Sequence, residues 1–270
     1  MNMNMNMSRS QPYEKMGSTC RTRAPVEKRI RWTVPKAGPF GDDLYRVGVL
    51  RKSLVESAAE LWRTSYPEVC GSPHEFLLDP DRYEPLIAMR ETWEEDSQNK
   101  VYCMSVVEEA AMGKVVGATL LTKFEANLQV EFSLVATHPD YRRRDLSDEL
   151  RRFTRIIALD SGAEYFTTFC ETWHDITQNW CIKGGWKIAG IFPGNFIRWN
   201  GEGEEYRECT VHFYKFVGKG AEYVTRPEEW RLAPEVREVW EALEQVNQKI
   251  EDVFHARLQK EMMRSYALSP

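Results

Sequence analysis

The stretch that decides the fold is LQVEFSLVATHPDYRRRDLS, residues 128–147. Its first ten residues are mostly apolar or β-branched and predict a strand over 128–137. Residues 138–144 form a polar, strongly basic turn. Apolar side chains then recur at helical spacing over 146–159, and Ser161 and Gly162 end that helix. The chain therefore passes from a strand through a basic turn directly into a helix.

Strand and helix signals alternate on both sides of this stretch, from about residue 38 to residue 217. The predicted strands lie at 45–50, 101–108, 114–124, 128–137, 164–170, 187–198 and 207–217. The predicted helices lie at 53–66, 86–95, 146–159 and about 175–183. The order β-α-α-β-β-β-α-β-α-β-β predicts a mixed α/β domain over 38–218.

Composition excludes several classes of protein. The 270 residues are 42% hydrophobic and 29% charged, and no run approaches the ~18 apolar residues of a membrane-spanning helix. We expect a cytoplasmic protein without a membrane partner. Six scattered cysteines without a C-x-x-C pair, and histidines without ligand spacing, predict no metal site. A net charge of -5 makes nucleic acid an unlikely general partner.

The two ends of the chain differ from its centre. Residues 1–37 carry eight Lys and Arg against two acids, and have few apolar residues. They predict a disordered or loosely draped basic arm, with a nucleic-acid-binding or lipid-binding arm as the alternative. Residues 219–270 form a C-terminal extension with a long helix at about 234–266. Its heptad seam predicts either a docked helix or a homodimer contact: Val236, Val239, Leu243, Val246, Ile250 and Val253.

The element order and three local motifs resemble the Gcn5-related N-acetyltransferase (GNAT) family over about residues 42–217. The first motif is the family's turn R/Q-x-x-G-x-G/A, matched by residues 142–147 with Asp145 and Ser147 at the glycine positions. The resemblance implies a mostly antiparallel central sheet flanked by helices. It also implies that this turn holds the pyrophosphate of acetyl-CoA. The implied contacts are Arg142, Arg143, Arg144, Asp145, Leu146 and Ser147.

Asp145 is the main departure from the family's pattern. A carboxylate repels a pyrophosphate, whereas three neighbouring arginines attract one. The alternative is that Asp145, with Ser147 beside it, caps the helix and needs no ligand.

The second motif lies on the strand before the turn. Glu131 occupies the position where the histone-acetyltransferase branch of the family has a general base that takes a proton from the attacking ammonium. The alternative is a glutamate on the solvent face of the strand. In the same strand the resemblance places the thioester carbonyl against a backbone N–H of Leu134, Val135 or Ala136.

The third motif, residues 173–186, resembles the family's N-x-x-A-x-x-x-Y-x-K-x-G-F segment. His174 replaces the asparagine that touches the cofactor, and Cys181 replaces the tyrosine that protonates the leaving thiolate. A thiol could donate that proton, or Cys181 could be a small buried hydrophobe.

The resemblance implies an acyl-CoA-dependent N-acetyltransferase that passes an acetyl group directly to a primary amine. Residues 192–199 and the turn with Glu202, Glu204 and Glu205 are predicted to form either a pocket for a cationic amine or an exposed hairpin turn. The alternative function is a catalytically degenerate GNAT-like module that binds or assembles through its C-terminal helix.

Overall fold

The computed structural model describes residues 22–92 and 98–267. Within these residues one sheet contains nine strands: β1 Gly38–Phe40, β2 Tyr45–Val49, β3 Ile87–Ala88, β4 Tyr102–Glu109, β5 Lys114–Phe124, β6 Gln129–Thr137, β7 Tyr165–Glu171, β8 Lys187–Trp199 and β9 Glu205–Phe216. The α-helices of the described part are α1 Val55–Ser65, α2 Tyr83–Leu86, α3 Leu146–Asp160, α4 Ile176–Lys183 and α5 Pro234–Ala267.

The sheet is mixed and mostly antiparallel. Its strand order is β1-β2-β4-β5-β6-β7-β9-β8, with β3 paired to β4 off this path. The β6–β7 and β3–β4 pairs are parallel and the others are antiparallel. This architecture, with flanking helices and a long C-terminal helix, confirms the predicted fold class.

Helices cover both faces of the sheet because each presents an apolar stripe. In α1 the buried residues Ala58, Leu61 and Trp62 follow helical spacing and join the core with Met104 and Leu120 of the sheet. In α3 the buried stripe joins a second core on the opposite face: Leu150, Phe153, Ile157 and Ala158. Full burial of one large apolar side chain stabilises the fold by roughly 1.5–3 kcal/mol.

The strands β6 and β7 pair over a short distance and then separate. Their register contains three residue pairs and ends at Glu131 opposite Thr167. Just beyond that point the Thr168 hydroxyl donates to the carbonyl oxygen of Phe132 at 2.8 Å. A bulge in β6 follows, because Leu120 of β5 lies opposite Leu134 whereas the next residue of β5 lies opposite Phe132. Ser133 is therefore the extra residue, at the start of the gap between the two strands.

The prediction of a helix at 86–95 is wrong for residues 86–92, which the structure describes. The structure has the short helix α2, then β3, then a 3-10 turn at Arg90–Thr92, and residues 93–97 lie outside the described residues. Ile87, Ala88 and Met89 are buried in succession. A run of consecutive buried residues suits a strand covered on both faces, and β3 pairs with the start of β4. The strand β1 was not predicted.

The expected disordered arm is wrong for residues 22–37, while residues 1–21 lie outside the described residues. Ile30 and Trp32 are fully buried in the core, and the Trp32 indole N–H donates to the carbonyl oxygen of Lys100 at 3.0 Å. Arg23 forms a two-point ion pair with Glu164, at 2.5 and 2.7 Å. Two large apolar side chains are enough to fix this irregular segment on the domain.

The helix α5 docks on the outer strand of the sheet through one buried amide. The N–H of Ile188 in β8 donates to Asn247 Oδ1 at 2.7 Å, and Asn247 Nδ2 donates back to the Ile188 carbonyl at 3.0 Å. Two turns further on, Phe254 packs so closely on Gly185 that a Cβ there would lie 2.6 Å from the ring. Gly185 also has a φ of +70°, so two constraints select glycine.

The predicted heptad seam of α5 divides between two environments. Ile250 is buried against the domain, whereas Val239, Val246 and Val253 are 61%, 43% and 71% exposed. These three valines lie seven residues apart and form one exposed apolar stripe beside the docked face of the helix. No helix of the described residues, α5 included, is long and apolar enough to cross a membrane.

Replacing Asn247 tests how much the docking of α5 contributes to stability. Asn247→Ala leaves the N–H and carbonyl of Ile188 without their partner, so we expect the free energy of unfolding to fall by about 1–3 kcal/mol. Urea denaturation measures this change. The matched control is Gln248→Ala on the exposed side, which we expect to change stability by less than about 0.5 kcal/mol. Equal stability of both variants would contradict this docking.

Candidate active site

Glu131 lies on β6 at the point where pairing with β7 ends. It is flanked in register by Thr122 of β5 and Thr167 of β7. The Ser133 hydroxyl lies 3.1 Å from Glu131 Oε1 and 2.6 Å from the Thr122 hydroxyl, so the carboxylate is held by a short hydroxyl chain. Tyr102, Thr122 and Glu131 pair across neighbouring strands, so their side chains lie on one face of the sheet. Tyr102 packs against the core that α1 forms with the sheet, so Glu131 lies on the face that α1 covers.

The surroundings of Glu131 alter its acidity. Burial raises the pKa of Glu131, and the hydrogen bond from Ser133 offsets part of that rise. Burial also raises the pKa of Tyr102, and the nearby Glu131 charge adds to that rise. Glu131 is therefore a partly buried carboxylate with a raised affinity for a proton, and it does not lie on a solvent face.

The basic turn adopts a backbone that few residues other than glycine adopt. Arg143 has φ 65° and Asp145 has φ 56°, both in the left-handed region. Asp145 occupies the N-cap position of α3, yet its side chain makes no capping hydrogen bond. The expected side-chain cap is therefore absent, and each of these two non-glycine residues adopts a backbone conformation that costs roughly 1–3 kcal/mol.

The charges of the turn are arranged unevenly. Arg144 donates to the Tyr45 hydroxyl at 3.1 Å and lies over the Tyr141 ring at 4.9 Å, so it is tied to the sheet. Arg142 and Arg143 are exposed beside the start of α3. The acids of the first turn of α3 are paired within the helix, Asp148 with Arg151 and Glu149 with Arg152. The start of α3 therefore combines exposed guanidinium groups with uncapped backbone N–H groups.

Leu134, Val135 and Ala136 lie beyond the last pair between β6 and β7. On one side they pair with β5. The register with β7 ends before them, so their backbone groups that point away from β5 face the gap.

His174 and Cys181 follow β7, on the other side of the gap from β6, and lie in two different environments. His174 Nε2 is 3.1 Å from Glu171 Oε2, and its Nδ1 is buried without a hydrogen-bond partner. Cys181 is buried in the core, with its sulfur 3.6 Å from that of Cys170. Burial raises the pKa of Cys181 well above its usual range. The structure brings Cys181 to the core rather than to the surface of the gap, as the packing alternative expects.

A polar network that the sequence did not predict lies beside the end of β7. The Tyr66 hydroxyl donates to Glu171, and Arg198 pairs with Glu208 at 2.6 Å. Burial raises the pKa of Glu171, and the nearby Glu208 adds to the rise. His74 lies close enough that burial and the Arg198 charge lower its pKa to about 4, so its imidazole is neutral at pH 7.

The only sequence signal for this network was the alternation along β7. The sequence YFTTFCE places Glu171 on the same face as Phe169 and Thr167, and hence on the face of Glu131. Tyr66 comes from a turn 105 residues earlier, and no local pattern connects the two.

In the predicted acceptor region, the acids and the aromatic rings lie in different places. Glu202, Glu204 and Glu205 are exposed, and the Asn200 side chain accepts from the N–H groups of Glu202 and Glu204 at 2.9 and 3.1 Å. The hairpin-turn alternative is right for these acids, and the acidic-pocket alternative is wrong. The aromatic rings are instead grouped around Phe169 on the face of Glu171: Phe192, Phe196 and His212.

The part of the chain that the structure describes contains no group of three or more His, Cys, Asp or Glu able to hold a metal ion.

Solved structures share this fold at low sequence identity. Ribosomal-protein-S5-alanine acetyltransferase from Vibrio fischeri matches with a TM-score of 0.51 and 10% identity, over 67% of this chain and 97% of that chain. An N-acetyltransferase from Staphylococcus aureus matches with a TM-score of 0.48 and 13% identity, over 64% and 98%. A GCN5-related N-acetyltransferase from Brucella melitensis matches with a TM-score of 0.45 and 16% identity, over 83% and 90%.

No protein-family model and no curated protein matches the sequence. At 10% identity the Vibrio fischeri structure shows the fold alone. The chain thus shares the fold of this acetyltransferase structure.

The raised pKa of Glu131 predicts a pH-dependent cost to stability. Since the folded state binds the Glu131 proton more tightly than the unfolded chain, the stability that the protonated form contributes is lost as the pH rises through the folded pKa. We expect Glu131→Gln to be more stable than the parent at pH 8, with the difference shrinking towards pH 4.5. Thermal unfolding across this range measures it. The exposed control Glu202→Gln is expected to show no such trend, and a parallel trend in both variants would contradict the assignment.

Proposed function

We propose that this protein is an acetyl-CoA-dependent N-acetyltransferase that passes an acetyl group directly to a primary amine. The observation that carries the proposal is the position of Glu131, a partly buried carboxylate with a raised pKa where β6 and β7 separate. The fold supports it, since the fold is shared with acetyltransferases.

The basic turn has the properties needed to hold the pyrophosphate of acetyl-CoA. A helix N-terminus with free N–H groups attracts anions, and α3 begins without a side-chain cap. The left-handed backbone of Asp145 is a conformation that glycine adopts readily, and the family's turn has glycine at this position. In this proposal the N–H groups of Leu146 and Ser147 and the guanidinium groups of Arg142 and Arg143 hold the pyrophosphate. The exposed Asp145 carboxylate is free to turn towards water.

Glu131 is the proposed general base. An ammonium group must lose a proton before its nitrogen can attack, and a carboxylate with a raised pKa accepts that proton more readily. Ser133 and Thr122 fix the direction of the carboxylate through their hydroxyl chain. Acetyl-CoA supplies the activated acyl thioester when it is bound. A backbone N–H of Leu134, Val135 or Ala136 is placed to stabilise negative charge on the carbonyl oxygen.

Two further sequence predictions take different places in the proposal. His174 stays a proposed cofactor contact because of its position in the third motif, although its Nδ1 is buried without a hydrogen-bond partner. We assign the protonation of the departing thiolate to solvent rather than to Cys181, whose sulfur is enclosed by the core and by Cys170.

The acceptor amine is proposed to enter from the face of the sheet that α1 covers. Glu131 and Glu171 lie on this face, and the rings around Phe169 provide surfaces for a cation. A cationic amine fits this combination of acids and aromatic rings better than an anionic acceptor.

A second candidate is assembly through α5, on its own or together with catalysis. The stripe of Val239, Val246 and Val253 is exposed at heptad spacing, beside the side of the same helix that is docked on β8. We propose a second copy of the chain as its occupant, because two such stripes would cover each other in a symmetric helix pair.

Paired variants test the transferase. We expect Glu131→Gln to bind acetyl-CoA with the parent's Kd, on the order of 1 μM or about -8 kcal/mol, and to transfer acetyl groups at least ~100-fold more slowly. Arg142→Ala should instead raise Kd several-fold, because it removes a charge beside the proposed phosphate. Calorimetry gives Kd, and release of free CoA thiol with a panel of primary amines gives the rate.

Arg82→Ala, an exposed arginine away from the turn, is the control and should match the parent in both assays. Absence of acetyl-CoA binding at millimolar concentration would overturn the proposal. Unchanged turnover of Glu131→Gln would overturn the role of Glu131 alone.

The assembly candidate predicts a mass change on substitution. The parent should have twice its chain mass of 31.5 kDa in light scattering, and Val246→Glu should have the mass of one chain because a buried unpaired charge opposes association. The neighbouring exposed position gives the control, Gln248→Glu, which should keep the parent's mass. A parent of single-chain mass at every concentration would reject this candidate.

A further inference from the structure

Cys170 and Cys181 form a buried pair of thiols that the proposed reaction does not use. Their sulfur atoms lie 3.6 Å apart, and the two residues are 3% and 1% exposed. Cys170 belongs to β7 and Cys181 to the last turn of α4. Both thiols are free, so this contact is a hydrogen bond between reduced sulfurs.

The two thiols are not equivalent. Burial raises the pKa of Cys181, so this thiol keeps its proton. The hydrogen bond from Cys181 lowers the pKa of Cys170, because it stabilises a thiolate there. Such a pair contains one sulfur suited to react with an oxidant and a second sulfur beside it to resolve the product.

We propose that Cys170 and Cys181 form a reversible disulfide when the protein meets a hydroperoxide. The Cys170 thiolate attacks one oxygen of hydrogen peroxide, which breaks the O–O bond and gives a sulfenic acid and hydroxide. The Cys181 sulfur then attacks the Cys170 sulfur and displaces the sulfenic hydroxyl, which leaves as water with the Cys181 proton. Overall, two thiols and one peroxide give one disulfide and two waters, and a dithiol reverses the change.

The geometry requires a small movement. The sulfur atoms must close from 3.6 Å to about 2.05 Å, the length of a disulfide bond. The movable element is α4, a helix of eight residues whose first residue, Ile176, is 72% exposed. A short helix with an exposed start opens locally more easily than the sheet, which also gives a water-sized oxidant access.

The disulfide would close a loop between β7 and α4 that contains His174. Oxidation would therefore link α4 covalently to β7 and restrict the movement of the segment between them. The formation of the bond does not depend on the proposed acetyl transfer, and its test needs no substrate.

Peroxide treatment of the full chain, followed by acid quenching, alkylation, digestion and mass spectrometry, tests the pair. We expect a cross-linked Cys170–Cys181 peptide 2 Da lighter than the sum of its reduced parts, lost on treatment with dithiothreitol. We expect the thermal midpoint to rise by about 5 °C on oxidation, since the cross-link restricts the unfolded chain.

The matched control is Cys209→Ala, which removes a partly exposed cysteine whose sulfur accepts the N–H of Gly194 instead of contacting another sulfur. This variant should form the cross-link as the parent does. Cys170→Ala and Cys181→Ala should each lack it. Cys170→Ala should leave Cys181 as an alkylatable thiol, whereas Cys181→Ala should leave Cys170 as a sulfenic acid that dimedone traps. Alkylation of both Cys170 and Cys181 in oxidised parent protein, or a cross-link of either one to another cysteine, would overturn the proposal.

Discussion

The separation of β6 from β7 is the constraint on which the rest of the site depends. β5 holds β6 along its length, whereas β7 holds it for three residue pairs only. Backbone N–H and carbonyl groups need partners wherever they are shielded from water. The unpaired edge beyond Glu131 therefore has to be satisfied by water or by a ligand with its own amide groups. A ligand that lies along this edge is guided by the sheet itself, before any side chain takes part.

The two ends of this gap carry opposite charge. Glu131 lies at the closed end, where a hydroxyl chain and burial make it a ready proton acceptor. Arg142 and Arg143 lie at the open end beside the uncapped start of α3. An extended molecule with a phosphate at one end and a reacting group at the other is oriented by this polarity. Glu171 lies four residues beyond Thr167 on β7 and adds a second carboxylate on the face that α1 covers.

Local features of the sequence predicted most of the fold, and distant contacts account for what it missed. The strand β6 and the helix α3 followed from adjacent residues, as did the long helix α5. Helical spacing failed near residue 87, where burial on both sides replaced the usual alternation. In the candidate site, the position of Glu131 before the turn is what predicts its role. The left-handed backbone of Asp145 and the contact of Tyr66 with Glu171 could not be read, because one is a dihedral angle and the other spans 105 residues.

The docking of α5 also affects how the molecule behaves among its neighbours. β8 is a terminal strand of the sheet, and a bare strand edge invites pairing with strands of other chains. The Asn247 side chain bonds both the backbone N–H and the carbonyl oxygen of Ile188, so it makes the two hydrogen bonds that a neighbouring strand would make there. A chain that lost this helix would present a ready template for intermolecular β-pairing. Truncation before residue 234 is thus a route to aggregation as well as to lower stability.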